Sequence, residues 1–274
     1  MVQIITSFHN SHVKNVLLLE EKPRARKEQN RFIIEGVREV ELALQSGFVI
    51  HSLFYCPEIL TSDRLGNLVK VAPTGTALFE VTTAVYNRMA YRKDHGGIIA
   101  IAEPKRLTFE DLSLDTEPLL LVLETVEKPG NLGALLRTAD AAAIDAVIIC
   151  DPQTDIYNPN AIRSGIGCIF TMPVITTSSE QTIQWLHEKR ITTFGTALST
   201  DNLYHLSDFR HASALIMGSE AKGLSAIWLE GADHLIKIPM MGKIDSMNVS
   251  ASAAIVIYEA LRQRNFYKPG PSVT

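Results

Sequence analysis

Two patterns of hydrophobic positions alternate along the chain. Short, continuous apolar runs predict strands, and segments whose apolar residues recur at intervals of three or four predict helices. In the first hundred residues, strands are predicted at 32–36, 48–56, 76–82 and 96–103, and helices at 37–47, 58–71 and 82–91. Residues 1–31 are polar and basic, and the pattern assigns no element to them. This arrangement is typical of a small α/β module.

A polar stretch with two prolines, 104–118, separates this module from a second apolar region. We place the domain boundary there, with one domain at 1–106 and the other at 107–274. The run LLLVLETV (119–126) suits a strand that is buried on both faces. Further strands are predicted at 146–151, 191–198, 213–219 and 234–240, and helices at 131–143, 180–190 and 249–264. Strands that alternate with helices favour a mostly parallel sheet covered on both faces.

Composition adds limits to this picture. Of the 274 residues, 46% are hydrophobic and 20% are charged, which is typical of a globular protein with a buried core. No apolar run has the length of a membrane span, and the N-terminus has no secretory pattern, so we expect a cytoplasmic protein. Cys56, Cys150 and Cys168 are scattered among apolar residues, which favours buried free thiols over disulfides or a zinc site.

The net charge of −4 hides an asymmetry. Residues 1–106 carry 14 Lys and Arg against 11 Asp and Glu, whereas residues 107–274 carry 12 against 19. The basic part could bind a polyanion, because neutralised phosphates release counterions. A solvated charged surface is the alternative interpretation.

Ligands of parallel α/β sheets bind beyond the carboxyl ends of the strands, and three loops there have an unusual composition. The first, 127–139, places Gly130 and Gly133 between a strand and a helix, which is a weak phosphate-loop signal. Asn131 is expected to cap the helix. Arg137 lies within an otherwise apolar helix. It is either an ordinary surface or interface arginine or a charged group at the mouth of a site.

The second loop, 217–225, follows a predicted strand and carries Gly218 and Gly223. Glycine lets the backbone approach a ligand closely, and we expect a side chain at position 218 to collide with such a ligand. The alternative is a glycine turn with a helix cap at Ser225.

The third loop, 238–252, runs into the last helix with Ser246, Asn248 and Ser250 at its start. One of these three is expected to cap the helix. Because capping needs only one of them, the other two polar side chains indicate a small-molecule or ribose-sized site.

Several classes of chemistry have no signature in the chain. There is no HExxH, no paired CxxC and no DxDxDG segment, so no zinc or EF-hand calcium site is predicted. No GxSxG elbow is present, which disfavours an α/β-hydrolase.

Together, the segments NLGALLR (131–137), MGSEAKGLS (217–225) and IPMMGKIDSMNVS (238–250) resemble the three motifs of the SpoU (TrmH) family of RNA ribose 2′-O-methyltransferases. Residues 11–37 resemble the RNA-recognition domain attached to many members, so the resemblance covers nearly the whole chain. Ala221 and Met247 stand where the family usually has glycine and leucine, and neither change removes a chemical group.

The resemblance implies a SPOUT domain with a deep trefoil knot, preceded by an α/β RNA-recognition domain, in a homodimer that uses S-adenosylmethionine. Knot loops around 196–198, 218–223 and 238–248 would hold the cofactor. The implied cofactor-binding residues are Thr196, Ala197, Leu198, Gly218, Ser219, Glu220, Gly223, Ile238, Met240 and Met247. The implied catalytic residues are Arg137, Asn131, Glu220, Ser246 and Asn248. The residues expected to contact RNA phosphates are Arg24, Arg26, Lys27 and Arg31.

The expected reaction is methylation of a ribose 2′-hydroxyl, with ribosomal RNA as the first choice of substrate and transfer RNA as the second. Arginine is a poor base because its pKa is above about 12, so Arg137 would stabilise the developing alkoxide or bind the neighbouring phosphate. Two alternatives stay open. One is a catalytically silent RNA-binding protein of the same fold, and the other is a nucleotide-dependent enzyme of ordinary Rossmann type.

Overall fold

The computed structural model describes residues 2–91 and 96–266, which form two compact units. The first unit consists of residues 1–105 together with the inserted segment 155–171, and the second consists of residues 106–154 and 172–274. The chain therefore crosses between the units within one residue of the predicted boundary. The return of 155–171 to the first unit was not predicted.

The first unit is built on a five-stranded mixed sheet. Its strands are β1 (Gln3–Ile5), β2 (Phe32–Glu35), β3 (Ile50–Tyr55), β4 (Ala77–Val81) and β5 (Ile98–Ala102), in the spatial order β1-β4-β3-β5-β2. Its helices are α1 (Ser11–Glu21), α2 (Pro23–Gln29), α3 (Val37–Gln45), α4 (Ser62–Val71), α5 (Thr83–Met89) and α7 (Pro159–Ser164). The last of these lies in the inserted segment. Strands β3 and β4 pair in parallel, whereas β5 pairs antiparallel with both β2 and β3.

Helices α1 and α2 occupy a region in which the hydrophobic pattern predicted no element. Val13, Val16 and Leu19 of α1 are fully buried. They join a core that includes Phe54, Phe79 and Tyr86. Four of the five apolar residues in α1 form one run at 16–19, so the segment shows no clear helical period.

The inserted segment is held to the first unit by aromatic packing. Tyr157 stacks on Phe32 with ring centroids 4.4 Å apart, and Phe170 meets Phe48 edge-on at 5.0 Å. Such pairs stabilise beyond the apolar area that they bury. The segment is therefore a part of the first unit's core.

The second unit is a six-stranded parallel sheet. Its strands are β6 (Leu119–Glu124), β7 (Ala146–Cys150), β8 (Val174–Thr177), β9 (Thr192–Thr196), β10 (Ser213–Met217) and β11 (His234–Ile236), in the order β11-β9-β10-β6-β7-β8. Its helices are α6 (Pro129–Ala141), α8 (Ser179–Glu188), α9 (Ala226–Gly231) and α10 (Val249–Gln263). The predicted parallel α/β fold is confirmed. Strand β8 and helix α9 were not predicted.

Burial explains the pattern of this sheet. All residues of β6, β7 and β10 are buried, as expected for central strands with helices on both faces. One face packs against α8 and α9 through Leu186 and Trp228, and α10 packs on α6 and β10. Strand β11 ends at Ile236, four residues earlier than predicted, and lies at the sheet edge, where it pairs with β9. The backbone of Lys237 then bonds with Asn202 and Tyr204.

The three cysteines are buried and free, which confirms that prediction. No helix among the described residues is long and apolar enough to cross a membrane.

Candidate functional site

The site lies at the carboxyl ends of β9, β10 and β11, which are neighbours in the sheet. The loops after these strands surround a cleft of about 460 Å³. Its walls include apolar side chains such as Leu198, Leu229 and Met240. A few polar groups, Thr196 and Ser246 among them, complete the lining. This size and this mixture are typical of a pocket for a small molecule or cofactor.

All ten residues that the sequence predicted as cofactor-binding line this single cleft. They come from three separate stretches, 196–198, 218–223 and 238–247. Sequence analysis missed further lining residues, including Ser199, Lys222, Lys237 and Ser252. The convergence follows from the sheet order, because the ends of neighbouring parallel strands meet at one edge.

Gly218 is required by the loop itself. A Cβ at this position would lie 2.2 Å from the backbone carbon of Gly223, so it would collide with the loop. The loop closes on itself through two backbone hydrogen bonds between Ser219 and Gly223, of 3.0 and 2.9 Å. Gly223 adopts a positive φ of +69°, which suits glycine. The collision with a ligand stays a prediction, and the collision within the hairpin is a constraint that the sequence analysis did not predict.

Asn131 does not cap helix α6, which corrects the prediction. The helix begins at Pro129, and Lys128 occupies the cap position without a side-chain cap bond. The Asn131 side chain is consequently free for other partners. Its amide nitrogen donates to Glu220, and its carbonyl oxygen accepts from Asn248 at 3.3 Å.

A continuous chain of polar contacts thus joins the three loops. Lys128 Nζ lies 2.6 Å from Glu220 Oε2, on the carboxylate that also accepts from Asn131. At the other end, Asn248 Oδ1 accepts from the backbone and hydroxyl of Ser250 at 2.9 and 2.6 Å. Asn248 is the N-cap of α10, so one of the three polar residues there does cap the helix, as predicted.

Glu220 is held in its charged form. Partial burial acts to raise its pKa, but hydrogen bonds and the ion pair from Lys128 and Asn131 bring the pKa below the ordinary value. The same contacts raise the pKa of Lys128. The carboxylate is therefore an anchor that orients Asn131 and not a base poised to take a proton.

Two residues that sequence analysis missed support this arrangement. Lys128 lies between the end of strand β6 and Gly130. Glu124 ends the apolar strand β6, is 2% exposed, and accepts a hydrogen bond of 2.9 Å from the backbone of Ser225. The sequence signal for Glu124 was an acidic residue at the end of an apolar central strand. Burying such a charge is costly unless it has a partner.

Arg137 and Ser246 stand outside the polar chain. Arg137 is exposed on α6, and no described residue hydrogen-bonds or pairs with it. Ser246 lines the cleft, and its hydroxyl contacts Asp245 at 3.3 Å. A guanidinium with no partner among the described residues is available to an anionic ligand.

The four predicted RNA contacts of the first unit do not form one surface. Arg24 is exposed and pairs with Glu28, and Lys27 is exposed. Arg31 is partly exposed and lies 3.5 Å from Glu103. Arg26 is the exception, because it is buried.

Arg26 does not face solvent, so its prediction as an RNA contact is wrong. It is 4% exposed, and its Nε donates to Asp155 at 2.5 Å. Its Nη1 donates to the carbonyl oxygens of Leu19 and Glu20 at the end of α1, at 2.6 and 3.0 Å. Those carbonyls have no partner within a helix that ends there. Arg26 therefore fastens α1, α2 and the inserted segment together.

Two family models match the chain. Residues 118–258 match the SpoU rRNA Methylase family, and residues 10–100 match the MRM3-like substrate binding domain. A 23S rRNA (guanosine(2553)-2′-O)-methyltransferase of Bacillus subtilis is 31% identical over 93% of this chain and 97% of its own length. A 23S rRNA (guanosine-2′-O-)-methyltransferase of Escherichia coli is 39% identical over 62% of this chain and 73% of its own.

The solved structures agree with these matches. An rRNA methyltransferase from Sinorhizobium meliloti with AdoMet bound superimposes with a TM-score of 0.88 and is 27% identical. The match covers 95% of this chain and 98% of that one. The likeness therefore extends over both units.

Proposed function

The chain belongs to the SpoU rRNA methylase family, and we propose that it transfers a methyl group from S-adenosylmethionine to a ribose 2′-hydroxyl of ribosomal RNA. The observation that carries this proposal is the convergence of the three family motifs on one cleft, joined by the contacts from Lys128 to Ser250. Because both curated relatives act on a guanosine of 23S rRNA, we propose a guanosine of that RNA as the target. Transfer RNA is the second choice.

The cleft fits S-adenosylmethionine in size and in character. Its volume of about 460 Å³ lies within the range for ligands of that size, and its apolar side chains suit an adenine ring. The hairpin at 218–223 lines one side of the cleft. Leu198, Gly218, Ile238, Met240 and Met247 would hold the cofactor, which supplies a methyl group already activated by its positive sulfur.

The remaining chemical problem is the ribose hydroxyl, which is a poor nucleophile until its proton leaves. We assign Arg137 the task of stabilising the developing alkoxide or the adjacent RNA phosphate. Its free, exposed guanidinium supports this role, because preorganised positive charge lowers the barrier where negative charge develops. The proton would pass to a phosphate oxygen or to water, since Glu220 is engaged by Lys128 and Asn131.

The polar chain would keep the site in shape before RNA arrives. Glu220 orients Asn131, and Asn131 orients Asn248, so the three loops hold one geometry. We propose that Asn131 and Asn248 face the ribose and that Ser246 completes the cofactor loop. Reacting groups that are held in the correct orientation react faster, because the entropy cost of aligning them is already met on binding.

We further propose a cytoplasmic homodimer in which the cleft lies near the interface. Large apolar side chains are exposed on the loops around the cleft, with exposed fractions of 57% for Leu198, 94% for Met241 and 67% for Ile244. Surfaces of this kind are usually covered by a partner. The trefoil knot stays a prediction of the family resemblance.

The test uses the purified protein, S-adenosylmethionine with a labelled methyl group, and an unmodified 23S rRNA transcript. We expect label in the RNA and a single new 2′-O-methylated nucleotide. Cofactor binding without transfer to any RNA would favour the silent RNA-binding protein. Binding of dinucleotides in place of S-adenosylmethionine would favour the Rossmann-type enzyme.

A further inference from the structure

We propose that Tyr91, Arg88 and Arg163 form a patch on the first unit that binds an unpaired RNA nucleotide. Arg163 belongs to the inserted segment and lies outside residues 10–100, which match the substrate binding domain. The substrate-binding surface is thus completed by a residue from the part of the sequence that matches the methylase. This inference rests on the proposed function.

The patch is centred on a stacked pair. The Arg163 guanidinium carbon lies 3.8 Å from the centroid of the Tyr91 ring. Tyr91 is 59% exposed, although aromatic rings are usually buried. Its backbone nitrogen donates to Glu35 at 3.1 Å, and Asn160 accepts from Arg163 at 2.7 Å. Both members of the pair are therefore held in place while the ring stays accessible.

The two arginines of the patch form no ion pair with the residues that the structure describes. Neither Arg88 nor Arg163 forms an ion pair with a described residue, whereas Arg24, Arg26 and Arg31 each have an acidic partner. A cation that is not paired within the protein can neutralise a phosphate without first giving up a partner.

Arg88 lies three residues before Tyr91 in the chain, and both Arg88 and Arg163 interact electrostatically with the Glu20 carboxyl. Burial raises the pKa of Glu20 to about 7, with contributions from Glu35 and Glu21, and the two arginines oppose this rise. Near neutral pH this carboxyl is thus charged only part of the time, so it balances only part of the positive charge around it.

An exposed ring, a planar guanidinium and a second cation match what single-stranded RNA offers. Unpaired bases stack on aromatic rings and on guanidinium planes, and the adjoining phosphates pair with arginine. A stacked pair that only fastens α7 to the unit is the alternative that the test must separate.

The experiment compares Arg163→Ala and Tyr91→Ala with Arg64→Ala, which removes an exposed arginine from α4 of the same unit. Affinity for an unmodified 23S rRNA transcript and for oligoadenylate is measured at two salt concentrations, together with thermal melting. We expect each patch variant to weaken binding by at least about fivefold. The salt slope should fall by about 1 for Arg163→Ala and stay unchanged for Tyr91→Ala. Arg163→Lys should restore the slope but not the affinity.

Melting temperatures and S-adenosylmethionine affinity should match the wild type. If both patch variants bind RNA like Arg64→Ala while the wild type methylates the transcript, the patch is wrong and the proposed function stands. If a patch variant loses RNA binding only because its melting temperature falls, the patch proposal is also wrong. The stacked pair then serves only to hold α7 in the first unit. A wild type that neither binds nor methylates the transcript overturns both proposals.

Discussion

The strand-end loops of the second unit and the basic stretch at 22–31 of the first unit were both singled out by residue type, but they fold very differently. In the loops, all ten predicted cofactor-binding residues face one cleft. In the basic stretch, Arg24 points to solvent and pairs with Glu28, whereas Arg26 is buried against Asp155. The first set lines one cleft, whereas the second set does not share one surface.

The difference comes from what constrains each set. Loops that follow neighbouring parallel strands are brought to one edge of the sheet by the topology, whatever their side chains do. Charged residues that are close in a helical sequence instead point in different directions, since each position turns by about 100°. Residue type and spacing therefore locate a site only where the fold forces convergence.

The largest effect is expected on the rate of methyl transfer, at Arg137, whose side chain has no partner among the described residues. Arg137→Ala should slow methyl transfer about a hundredfold to a thousandfold, because its proposed role is to stabilise charge that exists only in the transition state. Cofactor affinity, melting temperature and sedimentation should not change. Arg137→Lys should rescue little, since an ammonium lacks the planar, forked donors. Near-normal single-turnover rates in folded Arg137→Ala would remove it from the catalytic set.

The next largest effect is on stability, at Arg26. Arg26→Ala leaves Asp155 and two helix-end carbonyls without their donor, so we expect the free energy of unfolding to fall by about 2–3 kcal/mol. Arg24→Ala, in the same helix but exposed, should change it by less than about 0.5 kcal/mol. Denaturant titration measures both. Arg26→Ala with wild-type stability and weakened RNA binding would return Arg26 to the RNA surface.

A moderate effect is expected from the exposed part of the basic stretch. Replacing Arg24 and Lys27 together by glutamine should lower the slope of log affinity for RNA against log salt by up to about 2. Arg64 and Lys70, replaced in the same way on α4, provide the matched control. The measurement is RNA affinity across a salt series. Equal slopes in the two double variants would show that the basic stretch is only a solvated surface.

The smallest effect is on pH dependence, through Glu20. Its pKa is raised from 4.5 to about 7 in the folded protein, so the native state holds a proton that the unfolded chain releases. Stability should therefore decrease as pH rises from about 5 to 7, by on the order of 1 kcal/mol after solvent screening. Glu20→Gln should remove that decrease. Parallel stability curves for the two proteins between these pH values would show that Glu20 does not titrate there.

The sequence predicted most of the strands because a buried parallel strand is a continuous apolar run, as at Leu119–Glu124. It missed α1, whose apolar residues lie mostly in one run at 16–19 without a helical period, and it missed the packing of 155–171. That packing depends on contacts such as Tyr157 with Phe32, which lie far apart in sequence. The motifs located the cleft, but neither the burial of Arg26 nor the release of Asn131 from capping follows from local pattern.

The most direct test of the central claim maps 2′-O-methylated nucleotides across total RNA from cells with and without this gene. We expect one ribosomal RNA site to disappear without the gene. The wild-type gene should restore it, and a gene carrying Arg137→Ala should not. An unchanged map, or a site restored equally by Arg137→Ala, would contradict the claim that the strand-end loops form the catalytic site of an rRNA methyltransferase.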